Sequence, residues 1–222
     1  MSNYQIAIDG PAGAGKSTIA KQVSAELKFV YIDTGAMYRA MGLCLSEQGI
    51  DVENETAVST ACGSVEISIA YEEGVQQVFV NGENVTGRIR TEAAGMAASK
   101  VSRYPAVRRQ LVALQQKLAS TANVVMDGRD IGTKVLPGAT LKIFLTAAAD
   151  VRADRRCREL QEKGVEADHN KILEDILARD YQDTHREESP LLQAEDAILV
   201  DTSYLTIPQV TAEILHCFRE RV

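Results

Sequence analysis

The sequence predicts an α/β fold in which helices cover a parallel sheet and one antiparallel excursion interrupts it. Three observations predict this class. Short apolar runs alternate with amphipathic segments near both ends of the chain. A period-two pattern replaces this rhythm before the middle of the chain. The 222 residues are 45% hydrophobic, which is enough to build a substantial core. We therefore expect a single domain, residues 1–222, that contains an insertion.

The first four predicted elements follow the order β-α-β-α. The predicted strands are Tyr4–Asp9, whose apolar run stops at a glycine, and Phe29–Asp33, a second short apolar segment. Apolar residues recur on one helical face of Ser17–Leu27 and of Gly35–Gln48, and Gly49 is a stop signal for the second helix. This order predicts parallel strands joined by helical crossovers.

The interruption follows this β-α-β-α start. Val65–Tyr71 alternates with period two, Glu72–Gly74 forms a turn, and Val75–Asn81 is extended again. Such a hairpin does not belong in a parallel sheet, so we interpret it as an insertion. Helices are then predicted at Thr91–Val101 and at Pro105–Ala119, which opens with proline.

The β/α rhythm resumes in the second half and brings the core to five predicted strands. The further strands are Val124–Asp127, Leu141–Leu145 and Ala197–Val200. The further helices are Ala147–Lys163, Lys171–His185 and a final helix capped by Thr206, with Pro208 in its first turn.

Composition excludes several classes of function. The formal net charge of −7, the 5% aromatic content and the absence of tryptophan argue against binding a nucleic-acid polymer. No run of 18 apolar residues exists, and residues 1–10 lack the pattern of a secretory signal, so we expect no membrane association and a cytoplasmic protein. The four cysteines lie far apart, so neither a disulfide framework nor a zinc site is expected.

The segment Gly10–Ser17 matches the pattern GxxxxGK[ST] between a predicted strand and a predicted helix. Glycines let backbone N–H groups surround phosphate oxygens, and the helix N-terminus adds partial positive charge. Lys16 can reach the β- and γ-phosphates, and the Ser17 hydroxyl can ligate Mg²⁺ together with phosphates and water. The predicted ATP-binding residues are Gly10, Pro11, Ala12, Gly13, Ala14, Gly15, Lys16, Ser17 and Thr18.

This loop occurs in several classes of protein. A GTPase would need Asn-Lys-x-Asp, but the segment from Asn170 to Leu173 ends without the aspartate. At this chain length a small-molecule kinase is favoured. A regulatory module that binds ATP without turnover is the alternative.

Two polar clusters follow predicted strands. Asp33-Thr34-Gly35 copies an aspartic-protease triplet, but such enzymes need two copies and this chain has one. Asp127-Gly128-Arg129-Asp130 follows a buried strand, and ligands of parallel sheets bind beyond the carboxyl ends of strands. We expect both clusters to face the phosphate site and Asp127 to contact substrate. The alternative for the second is a turn of solvated charges.

Two arginine stripes lie on predicted helices. Arg152, Arg155 and Arg156 share one face and can close over transferring phosphates, or can form a solvated face. Arg179 shares a second face with Asp183 and Arg186. Composition alone favours a surface salt-bridge ladder for that second stripe.

Together and in this order, these motifs resemble the bacterial cytidylate kinases, which are P-loop nucleoside-monophosphate kinases for CMP and dCMP. The resemblance covers nearly the whole chain. The segments that carry it are Ile8–Ser17, Asp33–Arg39, Ile89–Glu92, Asp127–Thr133 and Arg179–Arg186.

The resemblance implies a P-loop kinase fold with a five-stranded parallel sheet of order 2-3-1-4-5 and helices on both faces. It also implies a β-rich monophosphate-binding insertion at about 37–100 and a short lid at about 152–164. The implied reaction moves the γ-phosphoryl of ATP to CMP or dCMP, with Mg²⁺, in a protein expected to be a monomer. A kinase for UMP, AMP or a small alcohol is the nearest alternative.

The resemblance also implies a role for individual residues. The implied cytosine contacts are Ser99, Arg108 and Asp130. The implied ribose contacts are Arg179 and Asp183. The implied monophosphate contacts are Arg39, Arg129 and Arg186, with the hydroxyl of Thr34 where serine is also expected. The implied catalytic residues are Lys16, Arg129, Arg152, Arg155 and Arg156.

Overall fold

The computed structural model describes residues 3–162 and 164–222. Three residues lie outside the described residues: Met1 and Ser2, in the segment expected to carry no secretory signal, and Lys163, at the expected end of a helix and in the expected lid. The strands are β1 (Gln5–Asp9), β2 (Val30–Asp33), β3 (Ile67–Glu72), β4 (Val75–Val80), β5 (Glu83–Asn84), β6 (Val124–Gly128), β7 (Leu141–Thr146) and β8 (Ile198–Asp201). The α-helices are α1 (Lys16–Leu27), α2 (Thr34–Glu47), α3 (Glu55–Ala61), α4 (Glu92–Val101), α5 (Pro105–Ala119), α6 (Ala149–Glu162), α7 (His169–His185) and α8 (Ile207–Arg219).

The larger sheet has five strands in the order β2-β6-β1-β7-β8. Counted along the chain, these core strands have the order 2-3-1-4-5, so the predicted α/β fold is confirmed. Strand β1 pairs in parallel with β6 and with β7, and β7 pairs in parallel with β8. Strand β1 is central and buried from Ile6 to Asp9, which explains why its sequence is an apolar run rather than an alternating one.

The described chain packs as two compact units. One comprises residues 3–29 and 123–222, apart from residue 163, and holds β1, α1 and everything from β6 onward. At the start of its last helix, the Gln209 side chain accepts a hydrogen bond from the Thr206 backbone N–H at 2.8 Å. Thr206 is the N-cap residue of α8, as predicted, and Gln209 is its partner in a capping box.

The other unit is Val30–Ala122 and holds a three-stranded antiparallel sheet of order β3-β4-β5. The predicted hairpin is present, and its turn uses two left-handed residues, Glu73 and Gly74. Helix α3 was not predicted, because Val58 is its one buried residue and no apolar stripe marks it. The Asn54 side chain caps the N-terminus of α3, because it accepts a hydrogen bond from the Ala57 backbone N–H at 3.0 Å.

Within the described ranges, no helix is both long and apolar enough to cross a bilayer. The four cysteines are free thiols.

Helices α2 and α4 approach closely at Gly42. A Cβ at this position would lie 2.8 Å from the Ala97 backbone carbon and side chain. We therefore expect Gly42→Ala to lower the free energy of unfolding by about 1–3 kcal/mol, because the helices must separate to admit a methyl group. Chemical denaturation measures this change.

Gly95, on α4 itself, is the matched control, because a Cβ there meets no atom within 4 Å. Gly95→Ala should raise the free energy of unfolding by about 0.5–1 kcal/mol through helix propensity alone. Equal effects of the two substitutions would contradict the close helix contact.

Candidate active site

The phosphate-binding loop, residues 10–17, joins the end of β1 to the start of α1. Gly10 has φ 148°, and a Cβ there would lie only 1.9 Å from the Leu145 carbonyl oxygen of β7. Glycine is therefore required where the chain leaves the sheet. Gly15 is left-handed with φ 87° and turns the chain into α1. The predicted strand-loop-helix context of the motif is confirmed by these elements.

The Lys16 ammonium lies inside this loop, and the residue is 6% exposed. Its Nζ donates to the Pro11 carbonyl oxygen at 2.7 Å. Burial, with the positive charge of Arg129, lowers the pKa of Lys16 to about 7, although Asp127, Asp183 and Asp9 oppose this shift. The unliganded loop thus holds a lysine whose charge an incoming phosphate would stabilise.

Ser17 and Asp127 place two hard oxygen ligands side by side. The Ser17 Oγ donates to Asp127 Oδ2 at 2.8 Å, and Asp127 is buried at the end of β6. No group of three or more His, Cys, Asp or Glu side chains suited to a metal occurs among residues 3–162 and 164–222. The pair fits Mg²⁺, which takes one or two protein oxygens and completes its shell with phosphates and water.

A network of buried charges joins the end of β6 to α7. Arg129 Nε donates to Asp183 Oδ2 at 2.7 Å. Arg186 lies 3.7 Å from Asp183 and 3.9 Å from Asp130. Burial alone would raise the pKa of Asp183, but the charge and hydrogen bond of Arg129 reverse this and hold that pKa below its usual range. Arg179 lies one turn before Asp183 on α7 and is half-buried.

The three predicted lid arginines have three different surroundings. Arg152 is buried, donates to the Ala12 carbonyl oxygen of the phosphate loop at 3.0 Å, and forms two bonds to Asp180, at 3.1 and 2.6 Å. Arg155 donates to the backbone and hydroxyl oxygens of Thr202. Arg156 pairs with Glu159 at 2.9 Å on the surface.

In the unit Val30–Ala122, Asp33 organises a second arginine cluster. Its carboxylate accepts from the Ala36 backbone N–H at 2.8 Å, which caps α2. The same carboxylate pairs with Arg39 at 3.0 Å and with Arg90 at 3.3 Å. Gln76 of β4 holds the main chain here, because its side chain accepts from the Asp33 N–H at 2.8 Å and donates to the Asp33 carbonyl oxygen at 3.2 Å.

Arg108 and Ser99 also lie in this unit. Arg108 is 4% exposed, and its Nη1 donates to the Ser102 carbonyl oxygen at 3.0 Å. The Ser102 hydroxyl donates to the Ser99 carbonyl oxygen at 3.0 Å. The Arg108 guanidinium lies 5.6 Å from the centre of the Tyr38 ring, a cation–π distance. Thr34, the first residue of α2, is also buried.

The structure thus places each predicted residue within one of two units. The larger unit holds the phosphate loop, Ser17–Asp127 and the Arg129–Asp183 network, and the other holds Thr34, Arg39, Ser99 and Arg108. Sequence reasoning gave no role to five residues that support these side chains. They are Asp9, Gln76, Arg90, Asp180 and Thr202. Asp9, Arg90 and Asp180 lie in segments that carried the resemblance, which was a usable signal, whereas Gln76 and Thr202 act through contacts distant in sequence.

A model of the cytidylate kinase family matches residues 6–220. The chain belongs to the cytidylate kinase family. A relative named cytidylate kinase from Caldicellulosiruptor bescii is 48% identical over 98% of this chain and 96% of its own length. A relative of the same name from Exiguobacterium sibiricum is 50% identical over 96% of both chains. The family resemblance inferred from the motifs is confirmed.

A solved gluconokinase from Sinorhizobium meliloti is similar in fold. It is 16% identical in sequence and has a TM-score of 0.51, and the match covers 98% of this chain and 92% of the gluconokinase chain. This similarity supports the α/β fold alone, because the identity is too low to carry function.

The lowered pKa of Lys16 predicts proton uptake when ATP binds. With a pKa of about 7 in the free protein, Lys16 is mostly neutral at pH 8. Nearby phosphate charges favour the ammonium form, so binding at pH 8 should take up as much as about one proton per ATP. Calorimetry in buffers of different ionisation enthalpy measures this number.

Lys16→Arg is the control, because a guanidinium stays charged at every relevant pH. Its binding heat should not depend on the buffer. A wild-type heat that is equally independent of the buffer would contradict the lowered pKa.

Proposed function

We propose that this protein transfers the γ-phosphoryl group of ATP to CMP or dCMP and releases ADP with CDP or dCDP. The observation that carries the proposal is a complete phosphate-binding loop, with a buried lysine, in a member of a kinase family whose model matches residues 6–220. The family supplies the acceptor class, and the loop supplies the donor chemistry.

On the donor side, the backbone N–H groups of residues 10–18, except Pro11, which has none, surround the phosphates of ATP. The N-terminus of α1 adds partial positive charge at the same place. Lys16 leaves the Pro11 carbonyl oxygen and binds the β- and γ-phosphate oxygens. Its charge then lies where the transferring group gains negative charge.

Ser17 and Asp127 are the residues that would hold Mg²⁺, with the remaining ligands supplied by phosphates and water. When bound, the ion neutralises charge on the phosphate oxygens. The support for this assignment is the 2.8 Å contact between the two oxygen ligands.

On the acceptor side, we assign the monophosphate to Arg39, Arg129 and Arg186, with Thr34 donating its hydroxyl. Arg39 carries a buried Nε that has no acceptor among the described residues, which suits an incoming phosphate oxygen. Arg90 joins this set because it shares the Asp33 carboxylate with Arg39. Guanidinium groups suit phosphate because they donate two parallel hydrogen bonds.

We assign the ribose to Arg179 and Asp183, and the cytosine to Ser99, Arg108 and Asp130. Cytosine carries an amino donor at N4 beside acceptors at N3 and O2. A carboxylate accepts from the amino group, and a guanidinium donates to the ring acceptors. Uracil presents an oxygen at position 4, which a carboxylate repels. These residues come from both units, and the resemblance to the family supports their assignment to one acceptor.

The chemical step needs alignment and charge neutralisation more than a general base. The attacking atom is an oxygen of an already anionic phosphate, so no strong base must remove a proton. Lys16, Arg129, Arg152, Arg155 and Arg156 offset the negative charge of two anionic substrates. Closure of the lid excludes water, which would otherwise hydrolyse ATP.

We further propose that the protein is a cytoplasmic monomer that binds no nucleic-acid polymer. The free cysteines suit a reducing compartment, and the net charge of −7 opposes binding to polyanions.

The direct test of the proposed function is ADP release with a panel of acceptors at limiting concentration. We expect kcat/KM for CMP and dCMP to exceed that for UMP and AMP. The comparison with UMP tests the preference of the Asp130 carboxylate for an amino group at position 4 of the pyrimidine. Equal or faster turnover of UMP or AMP would reject the acceptor, and ATP binding without turnover of any acceptor would reject the kinase assignment.

Asp130→Asn tests recognition of the base. The amide can donate to the oxygen at position 4 of uracil, so we expect kcat/KM for CMP to fall and its ratio to that for UMP to narrow by about tenfold or more. Steady-state kinetics with both acceptors measures the ratio.

Asp183→Asn is the matched control, because CMP and UMP share the same ribose. This substitution should lower kcat/KM for both acceptors by a similar factor and leave their ratio unchanged. An unchanged ratio in Asp130→Asn as well would exclude a role of Asp130 in reading the base.

A further inference from the structure

Asp9 is a buried carboxylate to which the proposed mechanism gives no role. It ends β1, immediately before the phosphate-binding loop, and is 5% exposed. Its two oxygens accept from successive backbone N–H groups. Oδ1 accepts from Ile131 at 2.8 Å, and Oδ2 accepts from Gly132 at 2.7 Å.

These two N–H groups begin a π-helical turn, Ile131–Val135, which follows Arg129 and Asp130 directly. The first N–H groups of any helix lack partners within the helix. The turn itself is closed by the Asp130 carbonyl oxygen, which accepts from Lys134 at 2.8 Å and from Val135 at 3.2 Å. Asp9 therefore holds the side of the turn that lies next to Arg129 and Asp130.

The fit around Asp9 is tight. A Cβ on Gly132 would lie 3.3 Å from Asp9 Oδ2 and 3.2 Å from the Lys142 side chain, so the position has little room for a side chain. The Asp9 backbone pairs in register with Gly128 of β6 and with Phe144 of β7. The Asp9 side chain therefore projects from a backbone that is paired with strands on both sides.

We propose that Asp9 is a positioning residue, which fixes the turn that presents Arg129 and Asp130 by holding the N–H groups of Ile131 and Gly132. The proposal rests on the proposed function, because it gives Asp9 its effect through two residues assigned there to the acceptor.

The environment of Asp9 supports a functional rather than a purely structural role. Burial raises the pKa of Asp9 to about 6 and Asp130 adds to the shift, although both backbone hydrogen bonds and the Lys16 charge lower it. A buried carboxylate with a raised pKa lowers stability at neutral pH, where it is ionised. Such a cost is typical of a group kept for function.

Asp9→Asn tests the proposal. The amide oxygen can hold one backbone N–H, but the amide nitrogen then faces the other, so the turn loses part of its support. We expect kcat/KM for CMP to fall on the order of 10-fold or more, because small displacements of aligned groups are costly. The ratio of kcat/KM for CMP to kcat/KM for UMP should also become smaller. The Kd for ATP should change by less than about threefold, which is within the variation that single contacts show.

Hydrogen exchange supplies a readout that does not depend on turnover. Amide exchange at Ile131 and Gly132 should be faster in Asp9→Asn than in the wild type, while the thermal midpoint does not fall. Unchanged exchange at both amides would overturn the proposal. Absence of CMP phosphorylation by the wild type would instead overturn the proposed function, so the two failures are distinguishable.

Asp196→Asn is the matched control. Asp196 pairs at 2.8 Å with Lys142, whose side chain borders the same glycine, whereas the two turn amides donate to Asp9. Asp196→Asn should keep the wild-type kcat/KM for CMP and the wild-type ratio of kcat/KM for CMP to that for UMP. Two outcomes would show that Asp9 is only structural and would overturn the proposal. One is an equal loss of kcat/KM for CMP in both variants. The other is an equal rise in KM for CMP and for ATP, with a lower thermal midpoint, in Asp9→Asn.

Discussion

Buried Lys16 and half-buried Arg129 are two cations held near the carboxyl end of the parallel sheet, and the carboxylates of the larger unit offset their mutual repulsion. The positive charge of Arg129 contributes to the lowered pKa of Lys16. Asp183 offsets Arg129 through a 2.7 Å hydrogen bond, and Asp127 favours both cations. The carboxylates of Asp127 and Asp183 therefore allow the folded chain to hold both positive charges in one region. In the proposed function, phosphate oxygens would meet donors already oriented in this environment.

Much of the fold was predictable because its signals are local. The apolar run of β1, the period-two strands of the hairpin and the proline that opens α5 each act within a few residues. Helix α3 was missed because it buries one side chain, so no pattern distinguishes it from a loop. The π-helical turn was also missed, since it depends on the Asp130 carbonyl oxygen and on a carboxylate far away in the sequence.

The candidate site divides in the same way. The spacing of Gly10, Lys16 and Ser17 specifies the phosphate-binding loop, and the structure shows why glycine must stand at position 10. The arginines on the two helices were visible as stripes, but their present partners were not. Arg152 binds a loop carbonyl oxygen and Asp180, whereas Arg156, on the same predicted face, pairs with Glu159 at the surface. Helical periodicity gives the direction of a side chain, and it does not identify the tertiary partner.

Gln76 shows how one side-chain contact limits variation in the length of the hairpin. A glutamine amide carries one donor group and one acceptor, so it can satisfy the N–H and C=O of Asp33 in the way that the edge of a neighbouring strand would. The Gln76 side chain can take the place of a strand edge only if its amide points to the correct face of β4. Side chains alternate along a strand, so one residue inserted or deleted between the hairpin turn and Gln76 would turn the amide to the opposite face. In this hairpin, the length of β4 is therefore constrained more strongly than the composition of the exposed turn that precedes it.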